Sequence, residues 1–566
     1  MSFLSSALCL RSLPLTRPAL ALALAQSACR WSVRPTPGPP FCRLPSIRSI
    51  STYPPSWAAA LLKRNPQFKS LDWTDVQAFR TILPSPGGVL TSIRDPTNPD
   101  ATTSSSSSAS VSADQLDSQE ALQAYNTDWL KLYRGQAPVV LFPETTAHVA
   151  AILRYCQEHR LAVVPQGGNT CVTGASVPVF DELILNLAKL NRVRQFDPVG
   201  GVLVSDAGCI LQNLEAYVEP RGFTMPLDLA AKGSCQIGGN VATNAGGVHF
   251  LKYGSLHGSV LGLEVVLPSG EVMDLLSTLR KDSTGYDLKQ LFIGAEGTLG
   301  VITGVALQTA PFLPVAVLLG LNSYKQALDT YALAQKHIYQ NLSAFEFWDR
   351  ECFNYLLESG ANAPSEPFAS TYPYYILVES SSSDEDQNQE SLSKFLDILL
   401  QNKLMGDGTI SFDQSQFNRL WAYRESIPSA VLRHPSLAYD LTLDYPHFYQ
   451  VVEVLRDRLR QMGLYDGYKG RGNVQAIAGL GHFGDGNIHV CVVAKDLNKE
   501  VFEAVEPFIY EWAAERGGSI SAEHGLGILK APYLHYTRSE VVIRTMRQIK
   551  TVFDPHGIMN PYKVLT

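Results

Sequence analysis

Two histidines and a glutamate near the C-terminus have the residue types of a metal site. His482 and His489 flank the letters FGDGN, and Glu523 follows in the segment SISAEHGLG. Residues seven apart on a straight strand face opposite sides, but Gly, Asp and Asn can reverse the chain and bring the imidazoles together. Two histidines and one carboxylate can bind zinc and leave positions open. Histidines beside a turn are more often structural or surface residues, so both interpretations stay open on these residues alone.

Four glycine-rich segments suggest a second kind of site, for a phosphate-bearing ligand. They span residues 163–176, 230–247, 253–258 and 293–304, with Lys232 and Lys252 as the nearby cations. Glycine lets backbone N–H groups approach a phosphate closely, and helix N-termini add to this. Neither GxGxxG after an early strand nor GxxxxGK[ST] occurs, which argues against a Rossmann site or a P-loop. A nucleotide-type ligand and ordinary turns both remain open.

The surrounding pattern indicates how these residues are positioned. From residue 137 to about 312, short apolar runs alternate with amphipathic stretches such as 146–158, which predicts one domain of α and β elements. A second domain is expected at 313–566, where strand-like runs alternate with longer helical patterns. Residues 51–136 are expected to be a helical or linker region, with a helix near 74–82 and a disordered Ser-rich insertion at 102–113.

The first fifty residues have the composition of a targeting segment. They hold six arginines and no acid, and the first acidic residue is Asp72. We expect residues 1–50 to be a mitochondrial transit peptide directing the chain to the matrix; a disordered tail is the alternative. The apolar run at 18–25 is too short to span a bilayer.

Charge and cysteine content argue against several classes of protein. The formal net charge is −7, and the chain after its arginine-rich start is more acidic still, which argues against nucleic-acid or anionic-membrane binding. The nine cysteines include no CxxC pair, so a disulfide framework or zinc ribbon is not expected and a reducing compartment fits.

Taken together, several segments carry a family resemblance that covers residues 128 to the C-terminus. The sequence resembles the FAD-linked D-2-hydroxyacid dehydrogenases of the vanillyl-alcohol-oxidase superfamily. The segments are PQGGNT, MPLDLAAKGSCQIGGNVATNAGG, YGSLHG, LRKDSTGYDLKQLFIGAEGTLGVIT, GHFGDGNIH, SAEHGLG and GIMNPYK.

The resemblance implies an α+β fold with a PCMH-type FAD-binding domain of two α+β subdomains at 137–312. A substrate and metal-binding domain with an antiparallel sheet and a helical C-terminal part follows at 313–566 and ends in an FAD-contacting segment. FAD is expected to be non-covalent, since the first loop has no histidine, although Cys171 lies in it. The residues expected to contact FAD are Pro165, Gln166, Gly167, Gly168, Asn169, Thr170, Gly174, Pro226, Gly233, Ser234, Ile237, Gly238, Gly239, Asn240, Asn244, Ala245, Gly246, Glu296, Gly297, Ile302 and Asn560.

The resemblance also implies the chemistry. His482, His489 and Glu523 would bind Zn²⁺ or a similar divalent metal, which polarises the substrate hydroxyl. His524 would bind substrate and take the hydroxyl proton, for which an imidazole is suited, while FAD accepts the hydride. Electrons would pass to a protein acceptor such as electron-transfer flavoprotein or cytochrome c. No transmembrane segment is expected, and homodimer formation is left open.

The substrate positions depart from the family pattern. Arg424 matches an arginine that binds a substrate carboxylate; the alternative is an ion pair on a surface helix. Relatives that act on D-2-hydroxyglutarate have threonine, lysine and asparagine where this chain has Pro428, Ala438 and Cys491, and Arg433 is a candidate to replace the lysine. In the first loop, Cys171 and Ala175 replace glycines.

The expected activity is oxidation of a D-2-hydroxyacid to the 2-oxoacid, with (R)-2-hydroxyglutarate to 2-oxoglutarate as the first choice. D-lactate to pyruvate is the alternative within this class. A flavin-binding homologue that has lost catalysis is the alternative from another class. The substitutions at 428, 438 and 491 support that last alternative, and retention of the metal set and His524 argues against it.

Overall fold

The computed structural model describes residues 62–96, 119–311, 314–360 and 363–565. The expected transit peptide and the Ser-rich insertion lie outside these residues. Within this part of the chain, no helix combines the length and apolar content needed to cross a membrane.

The described residues contain eighteen strands and sixteen α-helices, numbered here in chain order. The strands β1 to β18 are Val89–Thr91, Val139–Leu141, Val163–Gln166, Leu183–Asn186, Val193–Asp197, Val202–Asp206, Phe223–Thr224, Val260–Val266, Val272–Leu275, Val301–Gln308, Ala310–Pro311, Pro314–Leu321, Leu342–Asp349, Tyr374–Ser381, Asp407–Ile410, Ser436–Thr442, Val474–His482 and Asn487–Ala494. The helices α1 to α16 are Trp73–Ile82, Gln119–Asn126, Thr146–His159, Leu211–Val218, Ile237–Thr243, Phe250–Tyr253, Leu256–Ser259, Tyr324–His337, Arg350–Leu357, Glu385–Gln401, Gln414–Val431, Tyr445–Phe448, Gln450–Gln461, Lys499–Val505, Phe508–Glu515 and Glu540–Phe553.

The first sheet has four strands in the order β1-β2-β4-β3, with parallel pairing of β4 to both β2 and β3. Helix α3 connects β2 to β3. It begins at the N-cap Thr145, whose side chain accepts a hydrogen bond from the His148 N–H, and it buries Val149, Ile152 and Cys156 on one face. Strand β1 comes from the region expected to be a helical linker and pairs antiparallel with β2.

The second sheet is antiparallel, in the order β5-β6-β10-β8-β9. Side chains from the first two sheets share one apolar core, to which the C-terminal end of the chain returns. There Asn560 N–H donates to the Val163 carbonyl. The last residues of the chain are thereby tied to β3, next to the first glycine-rich loop.

The third sheet has seven antiparallel strands in the order β15-β12-β14-β13-β17-β18-β16. Two apolar clusters cover its faces, one of which includes residues of helices α9 and α11. The α+β fold class is therefore confirmed: two sheets with their helices precede a domain with an antiparallel sheet and helices.

Candidate active site

A cavity of about 510 Å³ lies between the glycine-rich loops and one face of the third sheet. Its walls combine loops that follow β3 and β7 with residues of β16, β17, β18 and α11. The residues expected to contact FAD that line it are Pro165, Gln166, Gly167, Gly168, Asn169, Thr170, Ser234, Gly238, Gly239, Asn240, Ala245, Glu296, Gly297 and Ile302. Cys171 and Ala175, the two departures in the first loop, line it as well.

The other expected FAD contacts are not part of this lining. The buried side chain of Asn560 donates from Nδ2 to the carbonyls of Ala175 and Glu296, so it connects two of the lining loops. Asn244 accepts a hydrogen bond from the Ser255 hydroxyl. The expected FAD contacts outside the lining are Gly174, Pro226, Gly233, Ile237, Asn244, Gly246 and Asn560.

The glycine-rich lining fits a ligand that approaches the backbone closely. A Cβ on Gly168 would lie 1.9 Å from the Ser234 carbonyl oxygen, so this contact between two loops requires glycine. Buried Oε1 of Gln236 and Oδ1 of Asn240 have no hydrogen-bond partner among the described residues, and both side chains line the cavity. Unpartnered buried acceptors of this kind fit the N–H and O–H donors of a flavin nucleotide.

Gly239 allows a direct test of this wall. It lines the cavity, and a Cβ there would meet nothing within 4 Å. We expect Gly239→Leu to fill ligand space and to weaken FAD binding by at least about tenfold, because the side chain has no alternative place. Flavin absorbance per protein measures this, with circular dichroism as the folding check. Gly258→Ala, at an open position outside the lining, should retain its flavin; normal flavin content in Gly239→Leu would contradict the assignment.

A tight hairpin brings the two predicted metal histidines together. Strand β17 ends at His482, a 3₁₀ turn spans Phe483–Asp485, and β18 begins at Asn487. Gly486 closes the turn with φ +78°, a conformation that favours glycine. His482 pairs with Asn487 across the hairpin, so His489, two residues further along, stands on the same face as His482. Their ring centroids are 5.6 Å apart.

Glu523 joins these histidines through one carboxylate oxygen. Its Oε1 lies 3.6 Å from His482 Nε2 and 3.4 Å from His489 Nε2. The Nε2 atom of His524 is also 3.6 Å from it. The other oxygen, Oε2, accepts a hydrogen bond of 2.8 Å from the Gly247 N–H. Three imidazole nitrogens therefore surround one carboxylate oxygen beside the glycine-rich loop.

A buried glutamate orients His482 from behind. Glu346 on β13 accepts from His482 Nδ1 at 2.9 Å and from Arg424 Nε at 2.9 Å. This hydrogen bond keeps a proton on Nδ1, so Nε2 is the nitrogen that would bind a metal in exchange for its own proton, as in carboxylate–histidine–metal arrangements. Arg424 is buried and lines the cavity, so its ion pair with Glu346 differs from the surface pair considered as the alternative.

Asp440 supports the segment that contains Glu523 and His524. Its Oδ2 accepts from the backbone N–H groups of Ala522, Glu523 and His524, and Lys530 Nζ lies 3.3 Å away. Asp440, His489, Glu523 and His524 form a group whose potential ligand atoms lie within 4.8 Å of one another. Oδ2 is already used by these donors and Oδ1 accepts from Asn487 Nδ2, so Asp440 fits a supporting role and His482 stays among the predicted ligands.

The electrostatics of this cluster suit a cation. Burial lowers the pKa of His489 to about 3 despite the nearby Glu523, so its imidazole is neutral and free to bind a metal. Burial opposes the charged form of Glu523, but the positive charge of His482 outweighs it and holds the carboxyl pKa well below its usual range. For His482, the effect of Glu346 and Glu523 exceeds that of burial and raises the pKa well above its usual value. The carboxylates thus favour a positive charge at His482, which a divalent cation also supplies.

His524 differs from the other two histidines in exposure. Its side chain is 33% exposed, against 9% for His482, and its ring stacks on His489 with centroids 5.2 Å apart. It also lines the cavity. An accessible imidazole beside the cluster can exchange a proton with a ligand, whereas the buried pair can hold a cation.

Glu346, Asp440 and Lys530 were not predicted from the sequence. Glu346 lies 136 residues before His482 in the chain, and the contact arises because β13 pairs with β17. A signal was present: Glu346 and Asp440 are carboxylates in the interior of largely apolar strands, LSAFEFWD and SLAYDLT. A buried charge is retained only where it has partners, so such acids are candidates for a site.

The Glu346 carboxylate provides a prediction for the positioning of His482. We expect Glu346→Gln to lower metal affinity by about 10- to 100-fold and the free energy of unfolding by about 3 kcal/mol, because Arg424 is left buried without its counter-charge. Elemental analysis and chemical denaturation measure the two effects. Glu366→Gln, which removes the partner of Arg350 on the same domain, is the control and should retain its metal. Wild-type metal content in Glu346→Gln would contradict this role.

Comparison with known proteins agrees with this geometry. Residues 137–276 match the family model described as FAD binding domain, and residues 314–564 match FAD linked oxidases, C-terminal domain. The chain is 48% identical over 451 residues to D-2-hydroxyglutarate dehydrogenase, mitochondrial, of Bos taurus, covering 79% of this chain and 80% of that protein.

Two further comparisons extend this result. A putative mitochondrial D-lactate dehydrogenase of Schizosaccharomyces pombe is 40% identical, over 89% of this chain and 92% of that protein. The solved structure of p-cresol methylhydroxylase with substrate bound has a TM-score of 0.64 and 14% identity, over 87% of this chain and 96% of that chain, which shows the shared fold. The chain belongs to the FAD-linked D-2-hydroxyacid dehydrogenases and is similar to the mitochondrial D-2-hydroxyglutarate dehydrogenases.

Proposed function

We propose that the chain oxidises a D-2-hydroxyacid to the 2-oxoacid with FAD and a divalent metal, and passes the electrons to a protein acceptor. The observation that carries this proposal is the group of three imidazole Nε2 atoms around Glu523 Oε1, within the cavity lined by the glycine-rich loops. His482, His489 and Glu523 would hold Zn²⁺ or a similar ion. FAD supplies the acceptor for the C2 hydride, and the metal supplies Lewis acidity.

The protein's own residues have three tasks in this proposal. His524 takes the proton of the 2-hydroxyl group, since its imidazole is the accessible one beside the cluster. Arg424 faces the cavity and favours a carboxylate nearby. Asp440 fixes the backbone of Glu523 and His524 through its three N–H contacts, so the base stays in place through the reaction.

(R)-2-hydroxyglutarate is the substrate that the names of most curated relatives suggest. D-lactate is the second candidate, and the observation in its favour is that Pro428, Ala438 and Cys491 line the cavity. In the decisive assay, purified protein oxidises the added 2-hydroxyacid and reduces an artificial dye, and the 2-oxoacid formed is measured. We expect turnover with the (R) enantiomers and at least about 100-fold less with the (S) enantiomers. Absence of turnover with every (R)-2-hydroxyacid would refute the proposal.

We further propose that FAD is held without a covalent bond. Residues 163–176 contain no histidine, and the Cys171 thiol contacts Thr173 Oγ1 at 3.2 Å, while burial raises its pKa and disfavours the nucleophilic thiolate. Acid precipitation should therefore leave the yellow flavin in solution. Colour that stays with the precipitated protein would show a covalent bond.

The proposed function includes a mitochondrial location. The curated relatives named above are mitochondrial by name, and the arginine-rich start of this chain supports import into the matrix. A protein acceptor such as electron-transfer flavoprotein or cytochrome c is part of the same proposal. Fractionation of cells that express the tagged chain tests the location.

A further inference from the structure

The side chains of the cavity wall change from polar to apolar along the face of the third sheet. His489 pairs with Leu480 on β17 and with Asp440 on β16, while Cys491 pairs with Ala478 and Ala438. Alternate residues of a strand share a face, so Cys491 and Ala438 stand beside His489 and Asp440, one step further from the hairpin turn. Moving along this face, the lining changes from imidazole and carboxylate to small apolar groups.

Helix α11 covers this apolar part of the wall. Trp421 and Pro428 from the helix line the cavity, as does Leu432 at its C-terminal end. Trp421 and Leu480 belong to one buried apolar cluster with Cys491. A substrate that places its hydroxyl at the histidines would therefore extend its side chain between this helix and the sheet.

The charges of this region do not provide a cation for a second substrate carboxylate. Among the described residues that line the cavity, Arg424 is the single lysine or arginine, and its charge is matched by buried Glu346 at 2.9 Å. Glu425, also in the lining, pairs with Lys232 at 3.3 Å. Arg433, considered from the sequence as a replacement for the missing lysine, is exposed, donates to the Ser359 carbonyl and is not part of the lining.

We propose, on the basis of the function proposed above, that the substrate is a D-2-hydroxyacid with an uncharged, apolar side chain, and that Ala438 and Cys491 set this selectivity. A second carboxylate would be buried against Leu480 and Cys491 without a counter-charge of its own, which disfavours binding strongly. An aliphatic or aromatic side chain that leaves water for this part of the cavity should increase the binding constant by about fourfold per buried methylene group.

The first test compares kcat/KM of the holoenzyme for D-lactate, D-2-hydroxybutyrate, D-2-hydroxyisocaproate, D-3-phenyllactate and (R)-2-hydroxyglutarate. We expect kcat/KM to rise with apolar side-chain size and to exceed that of (R)-2-hydroxyglutarate by at least about tenfold. A value for (R)-2-hydroxyglutarate equal to or above the best apolar substrate would overturn the inference while leaving the proposed function intact.

The second test adds a cation. Ala438→Lys should raise the ratio of kcat/KM for (R)-2-hydroxyglutarate over D-2-hydroxyisocaproate by at least about tenfold, and Ala438→Met, similar in length but uncharged, should not. An unchanged ratio in Ala438→Lys would argue against selectivity at this position.

Binding of the 2-oxoacid products tests the selectivity for an apolar side chain independently of turnover. By isothermal titration, 4-methyl-2-oxopentanoate should bind the wild-type holoenzyme at least about tenfold more tightly than 2-oxoglutarate. If no hydroxyacid is oxidised, the proposed function fails, and this titration still tests the inference: tighter binding of 2-oxoglutarate would overturn it.

Discussion

Removal of the divalent metal is expected to abolish turnover, to below about 1% of the initial rate. His482, His489 and Glu523 supply nitrogen and oxygen ligands at a point where the surrounding carboxylates favour a positive charge. A zinc ion lowers the pKa of bound water from about 15.7 to about 7, and a substrate hydroxyl needs similar help to lose its proton. Dialysis against a chelator, followed by the dye assay, measures the loss.

The control for metal removal is to add the metal back. Stoichiometric Zn²⁺ should restore the rate, and the flavin should remain bound throughout, because the FAD wall is formed by other residues. Glu523→Gln keeps an acceptor for the Gly247 N–H but lacks the charge, so it should retain flavin and contain little metal by elemental analysis. Full activity in protein shown to be free of metal would remove the metal from the mechanism.

Replacement of His524 by alanine is expected to slow reduction of the flavin by about two orders of magnitude or more, the usual contribution of a positioned base. The remaining cluster stays intact, because Asp440 holds this segment through backbone N–H groups that the substitution does not change. Metal and flavin contents should therefore match those of the wild type. Stopped-flow absorbance of the flavin under anaerobic conditions gives the rate.

A histidine outside the cavity provides the control for this variant. His535 is exposed and hydrogen-bonds the Pro532 carbonyl, outside the cavity lining, so His535→Ala should reduce its flavin at the wild-type rate. If His524→Ala also does so with a full complement of metal and FAD, His524 is not the base.

Local sequence signals were sufficient to predict the hairpin and the convergence of its two histidines. FGDGN contains the turn residues that reverse the chain between β17 and β18, and Gly486 adopts the positive φ that such a turn needs. Once the turn is assumed, the period of two along each strand places His482 and His489 on one face. The helix expected near 74–82 is confirmed at Trp73–Ile82, where Asp72 caps the first turn.

The environment of that pair could not be predicted in the same way. Glu346 meets His482 because β13 lies beside β17 in a sheet whose strand order departs from chain order, and hydrophobic periodicity carries no information about that order. Strand β1 was missed for a different reason: Val89–Thr91 has three residues, too few to show alternation. Arg424 was assigned to a substrate carboxylate from resemblance, and its buried pairing with Glu346 depends on the tertiary packing of α11.

The most direct test of the central claim is a single anaerobic turnover of the purified yellow protein with the two enantiomers of a 2-hydroxyacid, followed by flavin absorbance. The account predicts that an (R)-2-hydroxyacid bleaches the flavin, that the (S) enantiomer does not, and that one equivalent of 2-oxoacid forms per flavin reduced. A flavin that stays oxidised with every (R)-2-hydroxyacid, in protein with full metal and FAD content, would contradict the account.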